Sequence, residues 1–592
     1  MVGFGTNQSG EFSDRLGCVR EAMARVSEFA DVVSTSSLYE SAPMYKEDQP
    51  RFLNGVFQVV TSLPALDLLK KLKAVEASMG RPLDGRTLAG SGVQNGPRVM
   101  DLDILMEEPT IGAEEAVGNY VRWQRVADPE NLSGRGILEV PHPLLHERPF
   151  ALAPLMDVAP DALIDRAGSA GVQREGEGVP RGGTAPQRPL HVWEMYRGCM
   201  AAVLSAPGSA AGAWGGGWES EDTRGPRALH CAGLIRVLPV PTLRETGRND
   251  ALWPLGWRTY VMGVLNVTPD SFSDGGRYHG AGGDGGGGVE AAIAHAKRMV
   301  AEGADVIDIG GQSTRPGAEH LDPGEELRRV LPVMRALAAA LPELNRIRDG
   351  VHAAQVPAAY LGHDGGDGVG PTGVALSLDT FHGSVVESVA EICPVLVNDV
   401  SNGRDPELLK ACAKHRLPLV LNHARGTPKT MGGMTDYSAE GRGEGEPADN
   451  PLLRRDRGLV QGVATELGVA AERAMAAGVE GWGIVADPGL GFAKTHPQCA
   501  QLVRELPRLR RDRYWPVLVG ASRKGFLGTL AGRHQQKTPE DAVARDPAGL
   551  AALTASVAGG TDLVRVHDVH PAVDAARVSD GIFRSHGYPD PS

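Results

Sequence analysis

GVALSLDT, residues 373–380, is a short apolar run that breaks into a polar pair at its C-terminal end. Seven further stretches share the form: YVMGVLNVT (260–268), DVIDIGGQST (305–314), PVLVNDVS (394–401), LPLVLNHARG (417–426), GWGIVADPG (481–489), PVLVGASRK (516–524) and TDLVRVHDV (561–569). A strand covered on both faces reads as a nearly continuous apolar run, and such strands alternating with helical patterns indicate a parallel sheet. The segment VEAAIAHAKRMVAEGAD (289–305) places Val289, Ile293, Ala296 and Val300 on one helical face, with Gly303 near its end. Eight strand units of this kind predict an α/β domain, a TIM (β/α)8 barrel over residues 251–592. The stretches GAGGDGGGG (280–288) and 346–371 are low in complexity and are expected as loops.

In such a barrel the strand C-termini build the active site. Here those ends carry Asn266, Asp270, Thr314, Arg315, Asp379, Asn398, His423, Asp487, Lys494, Lys524, Arg565 and His567. Arg565 and His567 lie two residues apart, on one strand face, and with Arg315 are anion-binding types. Asn266 is a neutral oxygen donor suited to a hard metal ion. Asp379, Asn398, Asp487 and Lys524 suit the edge of a planar heterocycle, because a carboxylate accepts paired N–H groups and lysine donates to a ring nitrogen or oxygen.

The N-terminal part has another rhythm. GPRVMDLDIL, residues 96–105, sets Asp101 and Asp103 two residues apart inside an apolar run. In a strand both point to one side. Neighbouring carboxylates repel unless a cation lies between them, and Mg²⁺ is commonly held by one or two carboxylates plus substrate phosphates. An edge strand with a solvated acidic face is the alternative. DVVSTSSLYE (31–40) and FLNGVFQVV (52–60) read as strands, and Leu69, Leu72, Val75 and Met79 fall at helical spacing with Gly80 as the stop. The insert 114–136 reads as a surface loop. The expected division is a first domain over 1–165, a Gly/Ala/Pro-rich linker over 166–250 and the barrel beyond it, with Leu234, Val237 and Val240 as linker residues able to dock.

A net charge of −13 and the lack of a long basic run argue against a nucleic-acid or anionic-membrane partner. The six cysteines form no C-x-x-C pair, so neither a zinc site nor a disulfide scaffold is expected. No apolar stretch approaches the roughly 18 residues of a membrane span. No targeting peptide is visible in this chain, so the expected setting is cytoplasmic, or mitochondrial with a transit peptide lying outside it.

The barrel motifs MGVLNVTPDSFSDGG, IDIGGQSTRPGA, SLDT, VNDVS, RGTPKTM, ADPGLGFAK, GASRKGFLG and VRVHDV closely resemble dihydropteroate synthase. That resemblance implies a pterin pocket of Asp379, Asn398, Asp487 and Lys524, and a pyrophosphate pocket of Asn266, Arg315, Arg565 and His567 with one Mg²⁺ at Asn266. It implies Phe272, Thr314 and Phe492 as p-aminobenzoate positions, and a homodimer through the barrel. Two residues depart from the family pattern: Gln312 stands where glutamate is frequent, and Asn422 where methionine is usual, and both are read as lying outside the pterin and anion sets.

The stretches GTN, SSLYESAP, EDQPRFLNGV, GPRVMDLDIL and VPHPLLHERPFALAPL resemble hydroxymethyldihydropterin pyrophosphokinase, which implies a ferredoxin-like α+β fold. By that resemblance Asp101 and Asp103 hold two Mg²⁺ ions on the cosubstrate ATP, and Phe52 and Phe150 sandwich the pterin near Pro43 while Asn54 reads its edge. Arg98, His142 and Arg148 take the phosphate positions, and Arg81 or Arg86 reaches ATP from a loop longer than usual. On the residues alone, Phe52 and Phe150 read better as core, and His142 reads nearly as well as a structural residue of the turn VPHP. Together the two resemblances imply a bifunctional enzyme of folate synthesis. It would use ATP, 6-hydroxymethyl-7,8-dihydropterin and p-aminobenzoate, with Asp101, Asp103, Arg98, Arg315, Lys524, Arg565 and His567 carrying the catalysis. A pterin-dependent methyltransferase barrel, and an N-terminal domain kept only as a scaffold, are the rival readings.

Overall fold

The computed structural model describes residues 1–44, 48–80, 96–107, 120–121, 124–129, 137–164, 189–204, 229, 232–244, 247–267, 287–312, 321–352, 373–437, 458–512, 515–533 and 539–584. Arg81, Arg86, Asp270, Phe272, Thr314 and Arg315 lie outside them. The described chain forms two compact units that divide between Val237 and Leu238.

The first unit is ferredoxin-like. Its strands are β1 (Val2–Thr6), β2 (Asp31–Thr35), β3 (Leu38–Ser41), β4 (Phe52–Val60) and β5 (Asp101–Ile104). The first helix, α1 (Arg15–Val26), follows β1, and α2 (Ala65–Ser78) follows β4. β1 lies between β4 and β5, antiparallel to both, while β2 and β3 both pair with β4. The α1 helix opens on Asp14, whose carboxylate accepts from Gly17 N, and the chain leaves α2 through Gly80 at φ +102°. Close packing explains Gly55: a Cβ there would sit 2.2 Å from Phe4 Cζ.

Part of the expected surface loop is sheet. Within it lie β6 (Tyr120–Val121) and β7 (Gln124–Ala127), and β7 pairs with β8 (Ile137–Val140). The next helix, α3 (Pro149–Val158), is followed by β9 (Leu163–Ile164), which pairs with β6 and with β10 (Leu190–His191).

The linker expectation is corrected for the residues described. The helix α4 (Val192–Leu204) buries Val192, Met195, Tyr196, Cys199 and Met200 in the core that contains Leu152 and Leu155 of α3. The strand β11 (Leu234–Arg244) begins by pairing Leu234–Val237 with β3. Arg236 there reaches Asp157 at 3.4 Å and Tyr39 Oη at 2.6 Å. The glycine- and alanine-rich surroundings hid these segments, because composition averages over an amphipathic stripe that packing selects.

The second unit is the barrel. Its strands are β13 (Tyr260–Asn266), β14 (Val306–Gly310), β15 (Ala375–Asp379), β16 (Leu396–Asp399), β17 (Leu419–Asn422), β18 (Ile484–Asp487), β19 (Leu518–Val519) and β20 (Leu563–Val566). All neighbours are parallel, in the order β18-β17-β16-β15-β14-β13-β20-β19, and a bridge from Ala486 to Val517 closes the ring. The helix Gly287–Ala301 carries the amphipathic stripe read from the sequence. Leu238 and Val240 of β11, with Ala251 and Trp253 of β12 (Gly247–Pro254), join one cluster with Met262, Val306, Ala375, Leu396, Val420, Val485, Leu518 and Leu563. These are inward-pointing residues of the strands, so the end of the supposed linker belongs to the barrel interior.

Candidate active sites

In the first unit the sheet builds the site. Asp103 lies opposite Gly3 and Asp101 opposite Gly5. Paired residues share a face, so both carboxylates project beside a strip of backbone with no side chains. Across β1, Gly5 faces Asn54. Asn54 Nδ2 donates to Tyr39 O at 3.2 Å and Ser41 Oγ at 3.0 Å, which fixes the amide orientation.

His142 enters from the segment before α3, its N–H donating to Leu105 O at 2.8 Å just beyond β5. Arg148 and Phe150 follow, the guanidinium 5.7 Å from the ring centroid. Phe52, Asn54, Arg98, Asp101, Asp103, His142, Arg148 and Phe150 thus line a single cavity, with Ala42 and Met44 bracketing Pro43.

Arg98 pairs with Asp101. Lys73 of α2, which the sequence reading passed over, lies 3.7 Å from Asp103 and 2.6 Å from Glu76. Burial opposes its charge, yet Glu76, Asp103 and Asp101 outweigh burial and raise its pKa. Glu76 also accepts from Leu102 N at 2.7 Å, tying β5 to α2. Among the described residues no group of three or more acidic, histidine or cysteine side chains gathers as a metal cage. The donor set on β5 is instead two half-open carboxylates on one face, which fits Mg²⁺ completed by phosphate oxygens and water.

The barrel mouth follows from strand alternation. Val306, Ala375, Leu396, Val420, Val485 and Leu563 point into the barrel. Two residues further, on the same side, stand Asp308, Ser377, Asn398, Asn422, Asp487 and Arg565. Arg565 joins Asp308 at 2.6 Å and Asp379 at 2.7 Å. Asp308 accepts from Asn398 Nδ2 at 3.3 Å and from Ser377 Oγ at 2.6 Å. Asp487 accepts from Gly489 N at 2.7 Å and from Asn422 Nδ2 at 3.4 Å. Lys524 Nζ stands 4.4 Å from the Phe492 ring centroid, and His567 Nδ1 is 3.0 Å from Ser522 Oγ. Asn266 ends β13 as an exposed residue.

Burial pushes the Asp379 carboxyl up to about 7, with Arg565 opposing and Asp308 adding to the rise. Burial raises Asp487 likewise and lowers Lys524 to about 8. For Arg565 burial disfavours the charge, but Asp308 and Asp379 outweigh it and hold the guanidinium protonated. Asp379 Oδ1, Asn398 Oδ1 and Asn422 Oδ1 are buried without a hydrogen-bond partner. Such an acceptor costs roughly 1–3 kcal/mol, so three at one mouth suit a planar ligand rich in N–H groups.

His423 and Lys494 are not part of this set. Strand alternation turns His423 outward from Asn422, onto Glu466 at 3.0 Å, and Lys494 Nζ meets His423 Nδ1 at 2.8 Å and Phe492 O at 2.9 Å. Burial lowers His423 to about 4 and Lys494 to about 7. The pair fastens the loop that carries Phe492. The sequence reading missed Asp308, whose only signal was a carboxylate inside the apolar run VIDIG. Its placement of Asn422 outside the pterin set is corrected, since Asn422 is the inward residue bonded to Asp487.

A family model described as pterin binding enzyme matches residues 262–348 and 369–567. One described as 7,8-dihydro-6-hydroxymethylpterin-pyrophosphokinase matches residues 1–160. A mitochondrial folate synthesis bifunctional protein of Arabidopsis thaliana is 31% identical over 99% of this chain and 83% of its own length. A dihydropteroate synthase of Synechocystis is 36% identical over 57% of this chain and 94% of its own. In fold the chain is similar to a crystal structure described as HPPK-DHPS in complex with substrates. There the TM-score is 0.61 at 19% identity, over 98% of both chains.

Proposed function

Because this chain belongs to the family of bifunctional folate-synthesis proteins, we propose that its two sites divide the family's two reactions between the residues described above. The protein transfers pyrophosphate from ATP to 6-hydroxymethyl-7,8-dihydropterin and condenses the product with p-aminobenzoate to 7,8-dihydropteroate. ATP is a cosubstrate, and Mg²⁺ is the metal typical of the family.

In the first unit Phe52 and Phe150 sandwich the pterin and Asn54 reads its edge. Arg98, His142 and Arg148 hold phosphate oxygens and stabilise the charge that gathers on the transferred group. The pterin hydroxymethyl oxygen forms a bond to the β-phosphorus, the bond to the α-phosphate oxygen breaks, and AMP leaves. Arg81 or Arg86 completes the phosphate contacts on grounds of sequence.

In the barrel Asp379, Asn398, Asp487 and Lys524 hold the ring, while Arg565, His567 and Arg315 hold the pyrophosphate. The methylene C–O bond breaks with its electrons passing to pyrophosphate, and cationic character spreads into the ring. The amine of p-aminobenzoate, seated near Phe272, Thr314 and Phe492, then attacks and loses a proton. Two Mg²⁺ at Asp101 and Asp103, and one near Asn266, would screen phosphate charge in the two sites.

The observation that carries the reading is that eight positions scattered between Phe52 and Phe150 in the sequence meet in one cavity. The test is Asp101→Ala combined with Asp103→Ala. ATP-dependent transfer should be lost, and condensation of supplied pterin pyrophosphate should stay within about twofold, because the sites belong to separate compact units. Loss of both activities from a folded variant would overturn the assignment. The mitochondrial name of the Arabidopsis relative supports the mitochondrial one of the two expected settings. Among the described residues no helix is long and apolar enough to cross a membrane. A homodimer through the barrel is supported by the exposed Val578, Ile582 and Phe583 on the helix Val569–Phe583.

A further inference from the structure

Asn422 ends β17 directly beside Asp487 in the register of β18. It points into the barrel, two residues beyond the core residue Val420, and is 6% exposed. Because an ionised carboxylate only accepts, its NH₂ is the end that faces Asp487, at 3.4 Å. That leaves Oδ1, a buried acceptor with no protein partner, beside the carboxylate proposed to receive the pterin's paired N–H groups. A methionine here would offer only a thioether sulfur, a weak acceptor.

We propose that Asn422 is a substrate-reading residue of the barrel, whose Oδ1 accepts the 2-amino hydrogen that Asp487 does not take. The geometry makes the two side chains one recognition unit. The amide anchors Asp487 with its donor end and reads the ligand with its acceptor end. The inference rests on the assignment of the pterin pocket to Asp487 and its neighbours.

The test uses the full chain, with 6-hydroxymethylpterin and its N2-methyl analogue, in which a methyl replaces one 2-amino hydrogen, as inhibitors of condensation, so that affinity is read at the barrel and not at the pterin cavity of the first unit. Wild-type protein should bind the pterin and discriminate strongly against the analogue. Asn422→Ala should lose roughly three- to tenfold in pterin affinity, the worth of one neutral hydrogen bond, while its affinity for the analogue rises. Asn422→Met, which keeps the volume filled, should lose pterin affinity to a similar extent and guards against a collapse of the alanine variant. If both variants lose affinity for both ligands in equal proportion, Asn422 only positions Asp487 and the proposal fails. Unchanged pterin affinity in both variants overturns it as well. Asp487→Asn is the control for the underlying reading: if it leaves pterin affinity intact, the pocket assignment itself fails.

Discussion

Asp487 is held by Gly489 N at 2.7 Å and by Asn422, so its carboxylate is oriented before a ligand arrives. Its replacement by asparagine should weaken pterin binding about 10- to 150-fold, the range of roughly 1.5–3 kcal/mol for a charged hydrogen bond. Arg565→Ala should act on the other half of the site. It should weaken pyrophosphate binding and slow turnover more than it weakens bare pterin, because its charge serves the leaving group while it reaches the pterin only through Asp308 and Asp379. Inhibition of condensation by pterin and by pyrophosphate, which reads the barrel site alone, separates the two in each variant. An Arg565→Ala protein that lost pterin affinity and kept pyrophosphate affinity would refute the division. Lys524 adds a pH signature. Burial lowers its pKa to about 8, so pterin affinity of the free protein should fall as pH rises through that value, and Lys524→Gln should flatten that limb. Stability runs the opposite way. The unfolded chain holds this proton to about 10.4, so the cost of burying the ammonium is present below pH about 8 and is relieved as pH rises toward 10.4.

At the scale of the element, the turn after β18 is where a single backbone conformation decides function. Gly489 has φ +68°, and a Cβ there would lie 1.9 Å from His423 O. No side-chain rotation relieves a clash with backbone, so Gly489→Ala must move the loop that leads to Phe492 and Lys494. Condensation should fall by about tenfold or more while pyrophosphoryl transfer is unaffected. A variant with both rates intact would mean that this loop can shift without disturbing Asp487. In the first unit Gly3 and Gly5 play a quieter part. They leave the backbone beside Asp101 and Asp103 without side chains at the two paired positions.

For the whole molecule, two compact units with separate cores imply separate stabilities. Trp253 is fully buried, stacks on Tyr260 with centroids 4.3 Å apart, and lies 5.6 Å from the Arg348 guanidinium. Arg348, itself buried, pairs with Asp305 at 2.7 Å. Trp253→Ala should cost the barrel unit about 3–5 kcal/mol. It should appear as an earlier thermal midpoint for loss of condensation activity, with the midpoint for pyrophosphoryl transfer unchanged. Equal shifts in both activities would mean that the units unfold together.

Local chemistry made much of this legible in the chain. Eight apolar runs with polar ends dictate the barrel, because both strand faces are covered and only the C-terminal rim is open. Asp379, Asn398, Asp487, Arg565 and the pair Asp101/Asp103 were visible because a charged or strongly polar side chain inside or at the end of an apolar run demands an explanation. Tertiary structure alone decided the rest. Asp308 became a site residue only once β14 stood within 2.6 Å of Arg565, a contact across 257 positions of sequence. The stretch read as linker became helix and strand because Tyr196, Leu234 and Val240 found cores to fill, and burial is a property of the partner surface as much as of the segment. Asn422 gained its meaning the same way: an amide is neutral in sequence, and only the register that sets it beside Asp487 turns its unmatched oxygen into a reader of substrate.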